Sequence, residues 1–221
     1  MKSRPLLRLQ QLPWLLNEMQ SGRLIVPAFQ RRFVWSKSQV KNLLDSIYHG
    51  YPIGTILLFE ERTRRWPSLP PEQSEFPQPK KSEFVSVSPN MYVIDGSQRL
   101  AALYNAFFGD RPGFAFAFDL KNKKFVNADQ SQYDPTFVNL RKLFSSEGFF
   151  QTLSELREID DSELLLDNYK DLQSAFMDYE LVILVLVDMT VDEAMEVHQR
   201  LNTTGRRLSK KDLEKIMPPN P

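Results

Sequence analysis

The chain contains no cysteine. That excludes disulfides, thiolate metal centres and a cysteine nucleophile, and leads us to expect a cytoplasmic home. Only two histidines are present, His49 and His198, far apart in sequence and without the paired spacing of a His-rich metal site. No apolar run approaches the roughly 18 residues a membrane helix needs. The longest, Leu181–Val187, has the length of a strand, so no membrane partner is expected. The N-terminus lacks the apolar core and small-residue cleavage site of a secretory signal. What is present is an ordinary globular balance. Of 221 residues, 42% are hydrophobic and 25% charged, which rules out a disordered or collagen-like chain. Sixteen Phe, seven Tyr and three Trp supply the bulk for a core.

Net charge is zero, yet it is segregated. Residues 1–65 carry 11 Lys/Arg against 4 Asp/Glu, residues 145–197 carry 2 against 14, and residues 198–221 carry 6 against 2. Such an imbalance bears on partners rather than on fold. Two readings stand: the acidic segment neutralises the basic ends within the molecule, or a basic face meets phosphates, including those of DNA.

Along the chain, Leu12–Met19 reads as a helix with Pro13 in its first turn, and Arg23–Val26 as a short strand. Ser36 and Gln39 form a capping box ahead of Val40, Leu43, Leu44, Ile47 and Tyr48 at helical spacing. Ile53–Glu60 follows as a strand. Residues 62–90 hold six of the fifteen prolines and read as a long loop. Met91–Ile94 is a strand broken by Asp95-Gly96, and from Arg99 a helix presents Leu100, Leu103, Tyr104, Phe107 and Phe108. Phe114, Phe116 and Phe118 alternate with alanines as a strand pairing with Lys124–Asn127. About 137–179 is helical and acidic. Leu181–Val187 reads as a strand buried on both faces. Thr190 with Glu193 caps a helix to about Leu201, and Ser209 with Asp212 resembles another helix start. This order makes the chain a mixture of α and β.

The stretch with most chemical content is Ile94-Asp95-Gly96-Ser97-Gln98-Arg99. A strand ends, glycine turns, and a helix begins; the first helical amides lack intrahelical partners and can hold a phosphate. Ser97 and Gln98 add donors, Arg99 adds a bidentate fork, and Asp95 can orient that arginine or bind a magnesium ion attending the phosphates. The plain alternative is an ordinary helix start capped by aspartate. Gln30, Arg31 and Arg32 lie between Phe29 and Phe33, beside Trp35, where arginine can bind phosphate or stack on a base, or be merely solvated. Pro52-Ile53-Gly54-Thr55 links a helix to a strand. Asn202-Thr203-Thr204-Gly205-Arg206-Arg207 is a polar, basic turn. No Ser-His-Asp triad or Walker phosphate loop is present.

Four motifs in order resemble one family: Pro27-x-Phe29-Gln30-Arg31-x-Phe33-x-Trp35, Leu43 to Gly54, Ile94-Asp95-Gly96-Ser97-Gln98-Arg99-Leu100, and Arg200-Leu201-Asn202-x-x-Gly205-x-x-Leu208-Ser209. They are similar to the N-terminal domain of GmrSD-type, modification-dependent (type IV) restriction endonucleases, and the likeness covers about residues 7–215. One departure is Ser97, where the family usually has Gln. The resemblance implies a single α+β domain over 1–221. Its ParB/sulfiredoxin-like core would span about 24–130 and 181–217, with the helical acidic insertion at about 137–179. It also implies a nucleotide bound and hydrolysed at the Asp-Gly-x-Gln-Arg turn. Asp95, Gln98 and Arg99 are then the catalytic candidates, with Asp95 the candidate magnesium ligand. Gln30, Arg31, Pro52, Ile53, Gly54, Gly96, Ser97, Gln98 and Arg99 are the nucleotide-binding set, for an NTP of unspecified base. Arg32, Trp35, Asn202, Gly205, Arg206 and Arg207 are candidate nucleic-acid contacts. DNA cutting in the family is associated with a separate His-Asn-His type nuclease domain or subunit, a motif this chain lacks. The expected role is an NTP-binding and NTP-hydrolysing regulatory domain of a phage-defence restriction system acting on DNA. Its rivals are a direct DNA-binding or nuclease module and a protein-interaction domain recruiting a nuclease.

Overall fold

The computed structural model describes residues 4–61, 68–78, 90–130, 134–160 and 162–203. The chain divides after Asp188 into two compact units. In the first, β1 (Leu6–Gln11) runs directly into α1 (Leu12–Gln20), with Pro13 in its opening turn. Leu12, Leu15, Leu16 and Met19, one face at helical spacing, are buried. After β2 (Leu24–Ile25), α2 (Lys37–Tyr48) opens on the expected capping box. Gln39 N donates to Ser36 Oγ at 3.3 Å and Ser36 N donates to Gln39 Oε1 at 2.9 Å.

The β3 strand (Ile56–Glu61) starts later than its sequence suggested. The preceding Gly54 has left-handed backbone (φ +85°), which an extended strand does not accept. In the expected loop, Pro71–Ser74 is a short helix, α3, and much of the remainder lies outside the described residues. Then come β4 (Asn90–Asp95), α4 (Ser97–Phe107), β5 (Phe116–Asp119) and β6 (Lys124–Asn127).

The segment expected to be helical from residue 137 opens instead as a strand, β7 (Phe137–Asn139), which pairs with β5. The helices α5 (Ser146–Arg157) and α6 (Ser162–Met177) follow it, and β8 (Glu180–Leu186) completes the first unit. β8 is not buried on both faces throughout: Glu180 is exposed, and Val182 retains 38% of its surface. In the second unit, α7 (Val191–Thr203) starts at the expected cap, Glu193 N donating to Thr190 Oγ1 at 3.3 Å. The helix start expected at Ser209 lies outside the described residues.

Five strands form one mixed sheet in the order β1-β8-β3-β4-β2, and β6-β5-β7 form a small antiparallel one. Within the large sheet β8 and β3 are parallel, while β1–β8 and β3–β4 are antiparallel. The fold class is α+β, as the sequence indicated. Leu100, Leu103, Ala106 and Phe107 of α4 are buried in the core. Phe107 meets Phe176 of α6 edge-on at 5.5 Å, and Phe176 meets Phe125 at 6.0 Å. The acidic helical segment is thereby tied into the core by one of its own aromatics.

Candidate functional site: the strand–turn–helix at Asp95–Arg99

Asp95 is the last residue of β4, and Gly96 turns the chain with φ +99° into α4. Glycine is required here twice over. Its backbone is left-handed, and an added Cβ would lie 2.6 Å from Ile56 Cδ1. No side chain caps the helix start. The aspartate cap offered as the plain alternative is therefore not formed, because Asp95 turns its carboxylate elsewhere. Arg99 Nη2 donates to Asp95 Oδ2 at 3.0 Å.

The remaining contacts of Arg99 point inward. Nη1 donates to Ile53 O at 2.8 Å and Nη2 to Thr55 O at 2.9 Å. The arginine clasps both ends of the left-handed Gly54, where a Cβ would come within 2.6 Å of Nη1. Its side chain is 16% exposed against 45% for Asp95. Burial pushes the guanidinium below its ordinary pKa, and the charge and hydrogen bond of Asp95 oppose that shift. Arg99 is thus a brace between the turn and the Ile53–Thr55 loop, and both terminal nitrogens already have partners.

Gln30 and Gln98 do comparable work on the other flank. Gln30 Nε2 donates to Val93 O at 3.2 Å and Ile94 O at 2.9 Å, and its Oε1 accepts from Ser97 Oγ at 3.1 Å. β2 pairs only with Met91 and Tyr92, so the Gln30 amide takes over the strand end that β2 leaves. Gln98 Oε1 accepts from Val34 N at 3.0 Å, and its Nε2 donates to Arg32 O at 3.1 Å and Arg31 O at 3.4 Å. Gln98 therefore holds the backbone of the arginine pair against the start of α4. The Arg31 and Arg32 side chains are exposed, and among the described residues neither meets a carboxylate. Trp35 is half-buried and packs on the core.

The structure brings together Gln30, the Arg31–Arg32 backbone, Ile53, Gly54 and Asp95–Arg99. Pro52, Ile53, Gly54 and Thr55 also line a second cleft. Gly205, Arg206 and Arg207, and the side chain of Asn202, lie outside the described residues. Two features escaped the sequence. Arg111, which nothing in its Gly-Asp-Arg-Pro-Gly context singles out, lies 5.2 Å from the ring centres of both Phe33 and Phe114 and pairs with Glu75. The carboxylates of Asp171, Asp178 and Glu180 line the cleft; the strongly acidic stretch was their signal.

Among the described residues no group of three His, Asp or Glu is placed to hold a metal unaided. A magnesium ion attending phosphates needs only one or two protein carboxylates. The half-exposed Asp95, with one oxygen on Arg99, fits that modest demand. Among the described residues no helix is long and apolar enough to cross a membrane.

The model of the GmrSD restriction endonuclease N-terminal domain matches residues 12–216, and the chain belongs to that family. The family takes its name from a restriction endonuclease. An uncharacterised protein of Methanocaldococcus jannaschii is similar, 24% identical over 238 aligned positions that cover 90% of this chain and 40% of the relative. The chain therefore spans about two fifths of that relative's length.

Proposed function

We propose that this domain binds and hydrolyses an NTP as the regulatory part of a modification-dependent restriction system acting on DNA, with cleavage left to a separate nuclease domain or subunit. The observation that carries this reading is the uncapped start of α4, over which Gln98 tethers two exposed arginines. Unpaired first-turn amides and guanidinium forks are the donors that phosphate oxygens take. The geometry redistributes the roles that the sequence offered. Arg31 contacts phosphate, while Arg99, Gln30 and Gln98 position the turn. Asp95 would hold magnesium, which when bound neutralises phosphate charge. The exposed Arg32 meets DNA in this reading, beside the half-buried Trp35. A ParB/sulfiredoxin-like ancestry of the core accords with a phosphate-binding strand–turn–helix.

The test is a thermal-shift panel of ATP, GTP, CTP and UTP with magnesium, run beside duplex DNA. A nucleotide at 100 times its Kd stabilises by about 2.7 kcal/mol, and a domain of this size then melts roughly 5–10 °C higher. One nucleotide raising the melting temperature, with the rise lost in Arg31→Ala, supports the reading. No rise with any of the four, beside a clear rise with DNA, makes direct DNA binding the better one.

A further inference from the structure

A second surface adjoins the Pro52–Thr55 loop, and Arg99 is not among the residues that line it. It begins as a cleft of about 760 Å³ between the end of α2, the end of α6 and the start of β8. Its lining includes Ile53, Leu181 and Val182 with Asp171, Asp178 and Glu180, and among the described residues no Lys or Arg. Asp171 is partly compensated by Lys123 at 3.6 Å, and Asp178 accepts from Ser174 Oγ at 2.6 Å. Glu180 is exposed. Phosphate groups are repelled from such a cleft, so it is unsuited to the nucleotide and to DNA.

The cleft opens onto an apolar strip. In the β1–β8 pairing Leu7 sits opposite Leu184, Leu9 opposite Val182 and Gln11 opposite Glu180. Residues paired in register share a face, so Leu7, Leu9 and Val182 form a row that ends at the Glu180 carboxylate. Leu7 is 65% and Leu9 56% exposed. β1 is also the edge of its sheet, with no further strand beside it among the described residues. Natural edges are usually short, bulged, proline-bearing or charged. β1 has six residues and one charge, Arg8, which pairs opposite Ile183 on the other face.

We propose that this edge, strip and cleft dock one extended segment of a partner protein in which apolar and basic residues alternate. The backbone of the segment pairs with the free edge of β1. Its apolar side chains, and the stems of its Lys or Arg residues, cover Leu7 and Leu9. The charged heads meet Glu180 and Asp178. Charge complementarity selects this occupant over an acidic or purely apolar one, because a carboxylate ends the strip and, among the described residues, no Lys or Arg lines the cleft.

The experiment is fluorescence anisotropy of the full chain with two labelled dodecapeptides, one alternating Lys with Val and the other Glu with Val. Binding of the Lys peptide alone is expected, weakened at least tenfold by Glu180→Lys and by Leu7→Lys. Both positions are on the surface, and circular dichroism verifies that the variants fold. Asp178→Asn should weaken binding by a smaller factor without altering the fold. Equal affinity for the two peptides, no binding of either, or Lys-peptide binding untouched by these substitutions overturns the proposal. Sedimentation of the wild-type chain as a dimer that Leu7→Lys dissociates also overturns it, and assigns the face to a second copy.

Discussion

Arg99 shows how a residue type can be legible while its partners are not. The Asp-Gly-x-Gln-Arg pattern marks a strand–turn–helix, and that element is present. The carbonyls that take the arginine belong to Ile53 and Thr55, 46 and 44 residues away, and nothing local in the sequence names them. A phosphate-clamping Arg99 would be dispensable to the apo fold; a bracing one is not. Hydrogen bonds to charged groups contribute about 1.5–3 kcal/mol each, and Arg99 makes two to carbonyls besides its pair with Asp95. Arg99→Ala should therefore destabilise the apo protein by about 2–4 kcal/mol in urea unfolding, and Arg99→Lys should recover only part, lacking the planar fork. An apo stability within a few tenths of a kcal/mol of wild type would return Arg99 to the ligand. Gly54→Ala tests the same clasp from its other side. It imposes a Cβ on left-handed backbone and presses it on Nη1, at a cost of about 1–3 kcal/mol.

Among the elements, those with punctuation were legible and those without were not. Pro13 announces α1, and the Ser36–Gln39 and Thr190–Glu193 boxes announce α2 and α7, because a cap is a local hydrogen-bond pattern written in adjacent residues. β1 escaped since Leu-Leu-Arg-Leu-Gln-Gln does not alternate strictly, and its register comes from β8, 169 to 179 residues on. β7 escaped because three residues leading into an acidic helical stretch carry no period of their own. β8 looked buried on both faces because the seven apolar residues Leu181–Val187 are continuous, a pattern that does not reveal an edge strand beside it leaving one face open. The aromatic seam that joins these elements is directly testable. Phe176→Ala removes a fully buried ring between Phe107 and Phe125 and should cost about 3–5 kcal/mol. Phe150→Ala, at 68% exposure, should cost next to nothing. Chemical denaturation of both variants checks the pair, and similar losses in the two would mean that α6 is not anchored through Phe176.

For the whole molecule the question is where the segregated charge acts. Internal neutralisation would show as ion pairs between the basic N-terminal segment and the acidic helices. Among the described residues none joins residues 4–61 to residues 145–178. Lys123, Lys142 and Lys170, all from outside the basic segment, serve Asp171, Glu155 and Asp167. The exposed Arg31 and Arg32 of the basic segment are therefore left to phosphate in the proposed reading. Their roles separate by salt dependence, because a backbone contact releases counterions and a bound nucleotide within a pocket does not track DNA affinity. Each lost phosphate contact lowers the slope of log affinity against log salt by roughly 0.9. We expect Arg32→Ala to reduce the DNA slope by about that amount and to leave NTP affinity unchanged. Arg31→Ala should do the reverse, weakening the NTP while the DNA slope stays as it was. If both variants flatten the DNA slope and neither alters nucleotide binding, the arginine pair belongs wholly to DNA, and the uncapped turn beneath it positions a duplex rather than a nucleotide.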